Sequence, residues 1–130
     1  MKIALESAEG RNLFTGYGDG YVDVNGARQH GNVVVSADAI TPHWCEGALE
    51  DVTEAHLERL AATRPEIVIL GSGAAFRFPH PSVLAPLHRA GIGVEVMDTR
   101  AACRTYNILL AEGRRVVAAL IVETPPLLVR

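Results

Sequence analysis

The sequence predicts a single α/β domain. It would consist of a mixed central sheet, flanking helices and an antiparallel β portion contributed by the N-terminal half. Three observations carry this. Asn25-Gly26 lies between two short runs of β-forming residues, the strongest local signal for a two-residue hairpin. Two apolar runs, residues 67–70 and 94–97, each end at a polar loop that opens toward a helix-patterned segment. The chain has 130 residues, 48% of them hydrophobic and 21% charged, which suits one core and leaves no room for a second domain.

Residues 1–12 are polar, with 3–5 a candidate strand. Residues 13–17 read as a strand or its edge. Gly16, Gly18 and Gly20 follow at alternate positions and signal tight backbone. Residues 21–24 alternate in polarity and turn at Asn25-Gly26 into a return strand at 27–30. Residues 32–36 read as a further strand or the continuation of that one, completing an antiparallel meander. Residues 37–47 read as irregular, because Thr41 precedes Pro42 and is disfavoured as helix. Trp44, the only tryptophan, reads as a plug at the core edge.

Helix-start chemistry appears near residue 50: Asp51 with Glu54 fits a capping box, and Thr53 is an alternative cap. Leu57, Leu60 and Ala61 then share one face, with Glu54, Glu58 and Arg59 outside it. Arg64-Pro65 closes this helix. Residues 67–70 follow as a strand buried on both faces. A short helix at 82–89 contains Pro86 and stops at Gly91. Residues 94–97, led by Ile92, repeat the buried-strand pattern. Asp98 or Thr99 caps a helix over 100–112 that stops at Gly113 and points Ala102, Tyr106, Leu109 and Leu110 inward. Residues 114–123 return as a strand, with 116–122 buried. Strand–helix–strand connections of this length predict parallel neighbours with right-handed crossovers.

In open α/β sheets, ligands sit beyond the carboxyl ends of strands. If the two buried strands are adjacent and parallel, Gly71-Ser72-Gly73 and Asp98-Thr99 meet at one rim. Ser72, Arg77, Asp98 and Thr99 would converge there, with Cys103 and Arg104 one turn into the following helix, whose N-terminus suits an anion. Each residue also has an ordinary structural role. The glycines serve a tight turn, since Phe76 stands where the third glycine of a nucleotide loop would fall. Asp98 is more often a cap than a base. Arg77 tethers its loop to a carboxylate. Cys103 is more often a small buried residue than a reactive thiol. Arg104 pairs with an acid such as Asp98 or Glu95. Arg114 and Arg115 read as a solvated turn.

The five histidines show no metal-binding spacing and the two cysteines no CxxC pair. No metal or cofactor is expected. Ser72 lacks the GxSxG context of a nucleophile elbow. A formal charge of −3 argues against a nucleic-acid-binding face. No apolar run approaches the roughly 20 residues of a membrane span, and the first residues resemble neither a secretory signal nor a transit peptide. The expectation is a cytoplasmic bacterial protein without membrane insertion.

Longer motifs carry a resemblance. Ile69-Leu70-Gly71-Ser72-Gly73, Arg77-Phe78-Pro79, the run from Gly91 to Thr99 and the run from Ala101 to Asn107 are similar to a family of small α/β proteins of unknown function first seen in a methanogenic archaeon. Gly16-Tyr17-Gly18 and Val24-Asn25-Gly26 resemble the family's opening hairpin. The likeness covers roughly residues 12–122. The family includes a mitochondrial assembly factor for respiratory complex I, and the chain looks like a bacterial relative. The resemblance implies a layered α/β fold, no established catalysis and a protein partner; self-association is compatible with it. Two functions compete: a non-enzymatic interaction or assembly module, predicting an exposed apolar patch, and a small-molecule or anion-binding protein or enzyme using the rim of Ser72, Arg77, Asp98 and Arg104.

Overall fold

Residues 10–124 are described by a computed structural model. The candidate strand at 3–5 and the tail at 127–130 lie outside them. β1 (Phe14–Gly18), β2 (Tyr21–Val24) and β3 (Ala27–Gln29) form a three-stranded antiparallel sheet. The β2–β3 hairpin turns on Asn25 and Gly26 at φ 52° and 82°. Both values lie in the left-handed region, which these two residues tolerate and most others resist. β4 (Val33–Val35), β5 (Ile40–Pro42), β6 (Ile67–Gly71), β7 (Gly93–Met97) and β8 (Val116–Leu120) form the second sheet, in the order β5-β4-β8-β6-β7. β6 lies parallel to both β7 and β8, whereas β4 is antiparallel to β8 and β5. The sheet is mixed, as expected.

Four expectations are corrected. Residues 32–36 do not extend the N-terminal meander; β4 joins the larger sheet, with Val33 opposite Leu120. Residues 37–47 are not wholly irregular, because β5 pairs with β4 at the sheet edge, where Pro42 is tolerated. β7 is not buried on both faces: it is the other edge, and Gly93 and Glu95 are exposed. The terminal strand stops at Leu120 and does not reach Glu123.

Alternation along the central strands sends side chains to two cores. Ile69, Val116, Ala118, Leu120, Val33 and Val35 face one side. There they meet Phe14, Tyr17, Val22 and Val24 of the small sheet, and Ala102, Cys103, Tyr106 and Leu110 of α3 (Thr99–Ala111). Val68, Leu70, Val117, Ala119 and Ile121 face the other side. They meet Leu57 and Leu60 of α1 (Glu54–Ala61), Leu87 of α2 (Ala85–Arg89), and Trp44 and Leu49. The five-stranded sheet is thus the middle of three layers.

The cap of α1 falls to Thr53, not Asp51. His56 stands where a capping box usually has Glu, and its Nδ1 accepts from the Thr53 N–H at 2.9 Å. Asp51 instead closes a short 3-10 turn, Leu49–Asp51, by accepting from the Ala48 N–H at 3.0 Å. Pro86 sits in the first turn of α2, where its missing N–H costs no bond.

Candidate functional site

The two loops predicted to meet do meet. β6 and β7 are parallel neighbours, so their carboxyl ends reach one rim together. The Ser72 N–H donates to Met97 O at 2.8 Å and the Thr99 N–H to Gly73 O at 2.9 Å. Asp98 caps α3, its Oδ1 accepting from the Ala101 N–H at 3.0 Å. Thr99 is buried, and its hydroxyl donates to Ile121 O and accepts from the Gly73 N–H. Gly73 has φ +117°, and a Cβ there would strike the Glu123 carboxylate.

Ser72 is completely buried. Its hydroxyl donates to Ala75 O at 2.8 Å and accepts from the Arg77 N–H at 3.1 Å, folding residues 72–77 into a closed loop. Arg77 crosses beneath that loop. Its guanidinium reaches Glu123 at 2.9 Å, Glu50 at 3.2 Å and Ser72 O at 3.2 Å, so the carboxylate tether expected from the sequence is present twice. Glu123 also accepts from the Ala74 N–H at 3.1 Å. The N–H groups of Ser72, Gly73, Ala74 and Arg77, which an anion would need, are therefore all engaged within the chain. The cleft beside Gly73, Thr99 and Arg100 has a volume of about 20 Å³, about what one water needs.

Cys103 and Arg104 are not brought to this loop. Cys103 is fully buried in the core, and burial pushes its thiol far above the ordinary value. Arg104 pairs with neither Asp98 nor Glu95; it donates to the Tyr17 hydroxyl of the small sheet, 87 residues away in sequence. Arg114 and Arg115 are exposed beside the turn at 112–113, as expected, and Arg114 donates to Glu66 at 3.0 Å.

Phe76 and Phe78 are not among the candidate site residues of the sequence, where Phe76 marks only the missing third glycine and Phe78 one position of a family-like motif. They are the most prominent feature of the loop. Phe76 is 56% and Phe78 67% exposed, with the rings edge to face at a centroid separation of 5.1 Å. The available signal was two phenylalanines between a glycine turn and Pro79, in a segment with no strand or helix to bury them. Among the described residues, no group of three His, Cys, Asp or Glu side chains is placed to hold a metal ion, and no helix is long and apolar enough to cross a membrane.

Residues 14–121 match the family described as a protein of unknown function, DUF498/DUF598. A human protein named NADH dehydrogenase [ubiquinone] 1 alpha subcomplex assembly factor 3 is 39% identical over 110 residues, covering 78% of this chain and 60% of its own length. The bovine counterpart is covered over 54% of its length, so the chain spans a little over half of these relatives. An uncharacterised Rhodobacter capsulatus protein is 34% identical, covering 82% of this chain and 81% of its own. A solved Bordetella parapertussis structure superposes with a TM-score of 0.83 at 39% identity, covering 90% of this chain and all of its own.

Proposed function

Starting from the fact that this chain belongs to the family of proteins of unknown function DUF498/DUF598, we propose that it is a non-enzymatic interaction module that takes part in assembling a protein complex. Respiratory complex I is the first complex to test, because the human and bovine relatives are named as assembly factors of NADH dehydrogenase. The observation that supports this best is the pair Phe76 and Phe78. Two exposed aromatic rings on a loop tied from beneath have the character of a binding hot spot. A loop held rigid before binding also loses little entropy on docking.

On this reading the rim residues are a brace. Gly71, Ser72, Gly73, Arg77 and Thr99 hold the loop shape, and Asp98 starts the helix that anchors it. The competing reading, a ligand site at the rim, has less support, because the N–H groups of Ser72, Gly73, Ala74 and Arg77 are engaged and the cleft is about 20 Å³. The protein would work in the cytoplasm.

The test is affinity purification from the native host of the wild type and of a Phe76→Ser/Phe78→Ser double variant. Both side chains are exposed, so the melting temperature should barely move. Losing two aromatic anchors should weaken the partner at least thirtyfold, equivalent to about 2 kcal/mol. A double variant that recovers the same co-purifying proteins in the same yield would overturn the proposal.

A further inference from the structure

Away from the phenylalanine loop, where β6, β7 and β8 begin, two open clefts of about 480 and 650 Å³ adjoin. Arg64, Pro65, Arg114 and Arg115 line both. The smaller cleft has Val34, Leu60 and Val117 on its apolar side, and Arg11, Ser36, Thr41 and Thr63 also line it. Its size and its mix of an apolar bed with a few polar groups are those of a small-molecule site. Its charge runs against that of the chain. The two clefts are lined by four arginines and two carboxylates, Asp38 and Glu66, whereas the whole chain carries −3. Glu112, next in sequence to Gly113, lines neither.

The arginines are only partly neutralised. Arg11 and Asp38 offset each other: the Tyr106 phenol, raised mainly by burial, feels both, Arg11 lowering it and Asp38 raising it. Glu66 is shared between two residues. It accepts from Arg114 Nε and from the Arg115 N–H, each at 3.0 Å, and the Arg115 guanidinium stands 4.0 Å away. Among the described residues, the Arg64 side chain has no hydrogen bond or ion pair. Its backbone is at φ 55°, the left-handed close of α1 that glycine takes freely and an L side chain does not. The carbonyls that end α1 and α3 do not claim these side chains. Ala61 O accepts from the Arg64 N–H, Leu109 O from the Arg114 N–H, and Leu110 O from the Gly113 N–H and Arg11. A residue kept in a strained position, with a side chain the fold does not use, marks a functional demand.

We propose that the smaller cleft binds a soluble phosphate monoester carried on a small apolar body, with Arg64 and Arg115 on the phosphate and Val34, Leu60 and Val117 under the body. The surplus of two positive charges matches a phosphate dianion. Guanidinium forks match its oxygens, and a carboxylate would leave one charge unmet. Inorganic phosphate would leave most of the cleft empty. The site is concave, which suits a molecule and not a flat bilayer surface.

Backbone amide shifts of the isotopically labelled full chain would be followed while hexyl phosphate, inorganic phosphate, hexyltrimethylammonium, or phosphatidylcholine vesicles containing phosphatidic acid are added separately. The expected result is saturable shifts at residues 34–41, 60–66 and 110–117 with hexyl phosphate, at least tenfold tighter than with inorganic phosphate, and none with the cation. Arg64→Gly should weaken hexyl phosphate about tenfold and melt no lower than the wild type, because glycine accepts this backbone. Arg115→Gln, which keeps the N–H bonded to Glu66, should weaken it similarly. The Phe76→Ser/Phe78→Ser variant should bind it as the wild type does, so this site and the interaction loop stand or fall separately. Equal response to hexyl phosphate and the cation, inorganic phosphate binding as tightly, shifts elsewhere only, or no shifts would overturn the inference. So would binding to the vesicles alone, or an Arg64→Gly variant that loses stability and keeps its affinity.

Discussion

Asn32 ties two separate backbone segments together through three hydrogen bonds. It is 7% exposed. Its amide nitrogen donates to Cys45 O at 3.0 Å and Gly47 O at 2.9 Å, and its oxygen accepts from the Val122 N–H at 2.8 Å. One amide therefore fastens the 43–47 loop to the strand layer and to the chain leaving β8. Asn32→Ala strands all three groups, and a cost of about 3 kcal/mol in chemical denaturation is expected; a loss within 0.5 kcal/mol would show that these bonds are replaced by water at no penalty. Cys45, held in the same place, gives a pH prediction. Burial is the main cause that pushes its thiol up to about 11 from an ordinary 9.0. A raised pKa means the folded state favours the neutral thiol. Its contribution is whole below the unfolded value and is lost as pH rises from about 9 to about 11. Melting temperature should fall across that window, and less steeply in Cys45→Ala. Identical slopes would contradict the assignment.

At the scale of elements, the sequence was most legible where one local signal sufficed. Asn25-Gly26 gave the β2–β3 turn, Leu57, Leu60 and Ala61 gave the inner face of α1, and Asp98 gave the start of α3. It was least legible where the pairing partner lies far away. Nothing near Val33 announces that its neighbour is Leu120, so the local pattern places β4 with the N-terminal meander and not with the larger sheet. For the same reason the sequence points Arg104 to its nearest acids, while its hydroxyl partner sits on β1. For β7 the signal was present and misread: a glutamate in the middle of Gly-Val-Glu-Val-Met belongs on an exposed strand, not one covered on both faces. The placement of Glu95 predicts a guarding role. Among the described residues β7 is an open edge, and a second copy pairing antiparallel about its centre would set Glu95 against Glu95, a repulsive juxtaposition. Glu95→Val removes that guard. It should shift the protein to larger species in light scattering at raised concentration, while Glu95→Lys behaves as wild type; unchanged mass for Glu95→Val would reject the guarding role.

For the molecule as a whole, the question is how a small antiparallel sheet stays joined to the larger layer. Three short strands with one apolar face are marginal alone, and among the described residues no strand of the small sheet pairs with the five-stranded one. The connection runs through α3. Asn107 pairs with the backbone of Phe14 as a neighbouring strand would: its oxygen accepts from the Phe14 N–H at 3.0 Å and its nitrogen donates to Phe14 O at 2.8 Å. Tyr106 adds a hydroxyl bond to Asn12 O at 3.0 Å and an edge-to-face contact with the Phe14 ring at 5.1 Å. Packing of Phe14, Tyr17, Val22 and Val24 on α3 and the central sheet supplies the bulk of the attachment, and Asn107 fixes its register. Asn107→Ala should therefore loosen the small sheet first. Two lost hydrogen bonds lower the local opening free energy by about 2 kcal/mol, so amides in β1–β3 should exchange roughly thirtyfold faster. β6 and β8, whose ladders do not involve Asn107, should keep their protection. Uniform acceleration in both sheets would mean they open as one unit and that α3 does not act as a separable joint; no acceleration would mean that side-chain packing alone holds the small sheet in place.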